Sequence, residues 1–105
     1  MTSGLRVVLV TCRRGRKAEA LAKGLVAARL AACVNIIPGV VSHYRWEGRL
    51  HRGVEVLLVI KTRAAQLKAL ERWVKARHPY CLPEILVLPV VGGSKEYLRW
   101  VADQT

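Results

Sequence analysis

The chain has 105 residues, of which 52% are apolar before its 8 Gly are counted, and a formal net charge of +11. That length suits one domain over residues 1–105 with a modest core. No apolar run approaches the roughly 20 residues that a membrane-spanning helix needs, and Met1-Thr2-Ser3-Gly4-Leu5-Arg6 lacks the basic start and apolar stretch of a secretory signal. Three cysteines, Cys12, Cys33 and Cys81, are an odd number, widely spaced and without a C-x-x-C pair, which fits a reduced cytoplasmic protein and not a disulfide scaffold. The basic excess has two readings: attraction to polyanions or acidic ligands, or an Arg-rich solvated surface. The basic residues form no run of five or more, which favours the second.

Arg6-Val7-Val8-Leu9-Val10-Thr11 is a short continuous apolar run, the pattern of a strand buried on both faces. A basic loop, Cys12 to Lys17, follows. Ala18, Leu21, Ala22, Leu25 and Val26 then recur at helical spacing, opposite Lys17, Glu19, Lys23 and Arg29. This helix ends near Arg29 to Ala32. A second helix opens at Lys61-Thr62-Arg63, carries Leu67, Leu70 and Val74 on one stripe, and stops at His78-Pro79, because the residue before a proline is pushed out of the helical region. Pro83-Glu84 leads into a buried strand, Ile85 to Val91. Gly92-Gly93-Ser94 turns with Ser94 as N-cap, and Lys95 to Asp103 closes the chain as a helix packing through Tyr97, Leu98, Trp100 and Val101.

Leu30 to Thr62, between the two helices, organises the rest. Cys33 to Ile37 reads as a strand, Pro38-Gly39 interrupts it, and Val40 to Trp46 carries the extended pattern on. Glu47-Gly48-Arg49 supplies a turn, and Val54 to Ile60 runs back. Arms of about 12 residues reach roughly 40 Å, against a radius of gyration of about 13 Å for a domain of this size. The tip must therefore project, and a projecting apolar ribbon needs a cover. A second copy of the same chain is the natural one. It also explains an apolar content above the average of about 45–50%, a figure that already includes Gly.

A repeat underlies the order of elements. Thr11 and Thr62 each close a buried strand, and Pro38 and Pro89, at the same offset, each interrupt the strand after the following helix. Strand–helix–strand twice over, with right-handed crossovers, gives an α+β, ferredoxin-like βαββαβ sheet with helices on one face and a C-terminal helix added.

Leu30-Ala31-Ala32-Cys33-Val34-Asn35, Ile37-Pro38-Gly39, Trp46-Glu47-Gly48, Ile60-Lys61-Thr62, and His78-Pro79-Tyr80 with Pro83-Glu84-Ile85 stand in the order and spacing of a known family. Across nearly its whole length the chain resembles the CutA divalent-cation tolerance proteins. The resemblance implies a ferredoxin-like fold assembled as a tight homotrimer similar to that of the PII signalling proteins, with the long hairpins wrapping neighbouring subunits. It also implies a link to tolerance of copper and other divalent metals. Members of the family use a cysteine near the end of the first strand and histidines just before the Pro-Tyr pair. Here those positions hold Val10, with Cys12 two residues later, and Arg77-His78.

Four constellations are candidates for chemistry. Cys12 and His78 form the metal candidate, for copper or another divalent cation, the only cofactor in view. Strand periodicity puts Cys12 on the side of Val10, whereas His78 serves equally well as a helix C-terminal cap. Cys33 and Cys81 read as small buried hydrophobes, and His43 and His51, on opposite arms of the hairpin, as solvated strand residues that could face each other. Tyr44, Trp46, Glu47, Lys61, Tyr80 and Glu84 are the candidate pocket between subunits; the alternative is interface packing by the aromatics with a Lys61–Glu84 ion pair. Arg13, Arg14, Arg16 and Lys17, before a helix N-terminus, are an anion-binding candidate without the Gly spacing of a P-loop.

Enzyme chemistry has little material. No Ser or Cys has an evident base and orienter, and Asp103 is the sole aspartate among seven carboxylates. The RNA-recognition motif shares this element order but stacks bases on aromatics of its central strands; Val7 to Thr11 and Val54 to Thr62 have none. Specific nucleic-acid reading and membrane insertion are therefore not expected. The expected protein is a trimeric, non-enzymatic, divalent-cation tolerance protein. The alternatives are a PII-like sensor of a small anionic effector at the subunit interface, and nonspecific polyanion binding.

Overall fold

The computed structural model describes residues 4–105; the leader-free reading of Met1–Ser3 lies outside them. The elements are β1 (Leu5–Cys12), α1 (Arg16–Ala27), β2 (Cys33–Trp46), β3 (Arg49–Arg63), a 3-10 turn (Ala64–Gln66), α2 (Leu67–Arg77), β4 (Leu86–Pro89) and α3 (Lys95–Gln104). The sheet order is β2-β3-β1-β4, with every neighbouring pair antiparallel. This is the ferredoxin-like α+β arrangement that the element order predicts.

The pleat divides the central strands into two faces. Val8, Val10 and Cys12 of β1 and Val56, Leu58 and Ile60 of β3 lie under α1 and α2. The helices meet them with Ala18, Leu21 and Leu25, and with Leu70 and Val74. Residues two apart share a face, so the helical stripes and the alternate strand residues together form one core. On the other face, Leu5 packs with Ala32 and Val101, and α3 covers only that end. Val7, Leu9, Thr11, Leu57 and Val59 stay half-buried. The expectation that β1 is buried on both faces is thus corrected for the single chain, because the sheet has one full helical layer and not two.

The hairpin projects as expected, giving the molecule dimensions of 44 × 25 × 23 Å. Its tip is a two-residue turn with positive φ at Glu47 (51°) and Gly48 (77°), the type I′ geometry whose twist matches paired strands. Pro38-Gly39 does not end the strand. It forms a bulge between Ile37 and Val40, with Gly39 at φ 74°, where a residue lacking an N–H is tolerated on an outer strand.

Several boundaries differ from the sequence reading. α1 stops at Ala27, and Val26 lies exposed and not in the packing stripe. α2 begins at Leu67 and not at Lys61, because Lys61, Thr62 and Arg63 stay in the ladder with Val7, Arg6 and Leu5. The Thr62 hydroxyl donates to the Leu30 carbonyl at 2.7 Å, which ties that end of β3 to the loop before β2. The last strand contracts to Leu86–Pro89 and is exposed along its length, as an edge strand paired with β1. Ser94 caps α3 as predicted, accepting from the Tyr97 N–H at 3.4 Å. Leu98 and Val101 pack, but Tyr97 and Trp100 are exposed and lean on each other with ring centroids 5.6 Å apart.

Candidate functional site

β1 ends where α2 ends, and the two are tied through His78. Its Nε2–H donates to the Thr11 carbonyl at 2.8 Å, and its Nδ1 accepts the Tyr80 N–H at 3.1 Å. The sequence places the imidazole there because Pro79 ends α2 and leaves His78 extended, turned back over the sheet. Tyr80 then lies edge-on to the His78 ring, with centroids 4.7 Å apart. Its hydroxyl donates to Glu55 Oε2 at 2.7 Å, and the Arg13 guanidinium sits 5.9 Å from the ring centre.

Cys12 points into the core beside Val10, as periodicity predicts. Burial, and next the Glu55 carboxylate, push its thiol up. Burial, then the hydrogen bond to Glu55, hold the Tyr80 phenol well above its ordinary value of 10.0. Both groups therefore contribute stability that is complete below the unfolded-chain values and lost as pH rises past them. Stability should be level to about pH 9 and fall above it. Tyr80→Phe should cost about 1 kcal/mol at neutral pH and make the alkaline fall shallower, as read by denaturant midpoints across pH.

In the single chain a copper ion at Cys12 and His78 would have to displace the Tyr80 N–H from the Nδ1 lone pair and reach a thiol buried in the core. A metal ligand needs a lone pair and a deprotonated thiol, whereas both ring nitrogens of His78 are engaged and the Cys12 thiol is buried and held protonated. Among the described residues no three of His, Cys, Asp and Glu gather in metal-binding geometry. Of the other cysteines, Cys33 is half-buried and Cys81 exposed, so neither is the buried hydrophobe expected. His43 pairs with Arg52, and His51 pairs with Tyr44, so the two histidines do not face each other. His51 stacks on Tyr44 at 5.3 Å.

One chain does not bring the six pocket residues together. Tyr44, Trp46 and Glu47 are at the hairpin tip, whereas Lys61 pairs with Cys33 and Val7 at the far end of β3. The run of β3 from Arg49 to Lys61 puts these groups roughly 40 Å apart. Lys61 makes no ion pair with Glu84. Its ammonium bonds the Asn35 side-chain oxygen and lies 4.0 Å from Cys33 Sγ. Tyr80 belongs with Glu55, which sequence reasoning missed. Its signal was a lone carboxylate within the otherwise apolar stretch Val54–Ile60. Arg13, Arg14, Arg16 and Lys17 are all exposed at the start of α1.

The fold and its overlong hairpin define the class: a ferredoxin-like protein with an uncovered apolar sheet face and a Tyr–Glu–His cluster at the end of its central strand. A sequence profile described as CutA1 divalent ion tolerance protein matches residues 6–104. The "Divalent-cation tolerance protein CutA" of Thermus thermophilus is 48% identical over 99 residues, covering 94% of this chain and 96% of that protein. The chloroplastic "Protein CutA 1" of rice is 46% identical over 99 residues, but those span only 56% of its length. A solved structure titled as the Cut A1 protein of Thermus thermophilus superposes with a TM-score of 0.94 at 46% identity, covering 96% of this chain and 98% of that one. The chain belongs to the CutA1 divalent ion tolerance family.

Proposed function

We propose that this protein is a single-domain, non-enzymatic, cytoplasmic divalent-cation tolerance protein that works as a homotrimer. The observation that supports self-assembly is the apolar sheet face. Leu86 is 55% and Leu88 45% exposed, and they continue the half-buried row of Val7, Leu9, Leu57 and Val59 across one surface. Monomeric proteins rarely leave such a contiguous patch uncovered, and a sister copy offers a patch of identical chemistry. Names of relatives support the tolerance role, while the chloroplastic rice relative shows that compartment varies among them. A copper ion or another divalent cation would then be held by groups assembled between subunits, as the Cys12–His78 pair within one chain is already committed to hydrogen bonds and core packing.

Analytical ultracentrifugation is the test. A species of three times 11.7 kDa is expected at micromolar concentration, and a lone 11.7 kDa particle overturns the reading. Calorimetric titration with Cu(II) addresses the metal separately: heat that survives in Cys12→Ser and His78→Ala variants supports ligands elsewhere. Heat abolished by those two substitutions returns the site to that pair.

A further inference from the structure

The topology gathers a second set of groups that the tolerance role does not use. α1 starts and α2 finishes at the same end of the sheet, because each runs back antiparallel to the strand that precedes it. The His78–Thr11 hydrogen bond and the Arg13–Tyr80 contact fix that juxtaposition. The two helices are in close contact further along: a Cβ placed on Gly24 would lie 2.6 Å from the Trp73 ring. The Arg77 guanidinium sits over that same indole, 4.2 Å from a ring centre, and donates to the Trp73 carbonyl.

Arg13 and Arg14 of the loop, and Arg16 and Lys17 of the first turn of α1, thereby join Lys75 and Arg77 on one end of the helical layer, all six exposed. Glu71 pairs with Lys75 at 2.8 Å. Glu55 is engaged by Tyr80, Glu19 stands in the first turn of α1, and Glu84 lies just before β4 at the same end. Six cations against these four carboxylates leave the end with a positive balance.

We infer that this basic end of the helical layer is a sequence-independent docking surface for the phosphate backbone of duplex nucleic acid. The charge is spread over a loop and two helix ends, which suits an extended polyanion with about one charge per 1.7 Å and not a single small anion. All six are Arg or Lys, whose cations pair with phosphate oxygens whatever the base sequence, and no aromatic of the central strands is available for stacking, so contacts to phosphate carry the docking. None of the exposed large apolar side chains falls within residues 13–17 or 75–77, so this end has no anchor for a lipid interface. The surface lies on the helical side of the sheet, opposite the apolar face, and does not depend on self-assembly.

The test is fluorescence anisotropy of a labelled mixed-sequence DNA duplex between about 50 and 200 mM salt. The unmodified protein is expected to bind at the low end and to lose about a hundredfold across that range, as roughly four phosphate contacts require. A variant carrying Arg13→Ser, Arg14→Ser, Arg16→Gln and Lys17→Gln should bind at least about tenfold more weakly at low salt, with a log–log salt slope shallower by about three. A control with Lys23→Gln, Lys68→Gln, Lys95→Gln and Arg99→Gln removes the same charge from elsewhere and should lose less than about threefold. Equal losses in the two variants overturn the assignment, as does no duplex binding at low salt. Tighter retention by phosphatidylserine vesicles than by the duplex overturns it in favour of a membrane surface. All eight residues are exposed, and circular dichroism and sedimentation confirm that fold and assembly are kept.

Discussion

Leu88→Arg is expected to leave the fold intact and to break the assembly. Leu88 pairs with Val7 at the edge of the sheet and is 45% exposed in the single chain. In an isolated protomer a charge there meets water, and such surface substitutions lie within about 0.5 kcal/mol of neutral. In an assembly that buries this face, the guanidinium would lose its water without gaining a carboxylate. Stranding an unpaired charge costs about 3–5 kcal/mol, which raises the dissociation constant by about a hundredfold or more. Sedimentation should then give a protomer-sized particle at concentrations where the unmodified protein is assembled, and thermal unfolding should become earlier and lose its dependence on protein concentration. An unchanged sedimentation profile would mean that this part of the sheet stays open to solvent.

His78→Ala is expected to lower stability by about 2–4 kcal/mol. The side chain is 8% exposed and bridges two backbone groups, the Thr11 carbonyl and the Tyr80 N–H. Truncation strips a partner from both at once and opens a void beneath them. Tyr80 loses its edge contact with the imidazole and is freed from its position over Glu55, so its phenol should titrate nearer the ordinary value. His78→Asn, which can offer both a donor and an acceptor, should recover part of the loss. Denaturant midpoints read the first effect, and the ultraviolet absorbance of tyrosinate across alkaline pH reads the second. A loss under about 0.5 kcal/mol, the scatter of plain surface changes, would show that the bridge is dispensable.

What could be read from the chain was local in origin. The type I′ tip at Glu47-Gly48, the Ser94 cap and the stop at His78-Pro79 each depend on a few neighbouring residues, and each is where the sequence puts it. The element order fixed the sheet topology through the crossover rule. The start of α2 was misread because pairing with Leu5–Val7 keeps Lys61–Arg63 extended, and that pairing joins residues far apart in the chain. β4 looked buried because Ile85 to Val91 is apolar, yet apolarity marks a surface to be covered without saying by what. The site was the least legible part. Tyr80 reaches Glu55 from the loop after α2, and Lys61 meets Asn35 on the neighbouring strand, and neither pair shares a local motif.

The two outer strands have a common trait: β2 contains Pro38 within its bulge, and β4 ends on Pro89. Each is a position with no N–H to offer an incoming strand. Strand-by-strand accretion of copies along either side of the sheet is therefore interrupted. A protein this rich in β-branched residues would otherwise be a ready template for fibrils, and its borders deflect stickiness away from endless polymerisation.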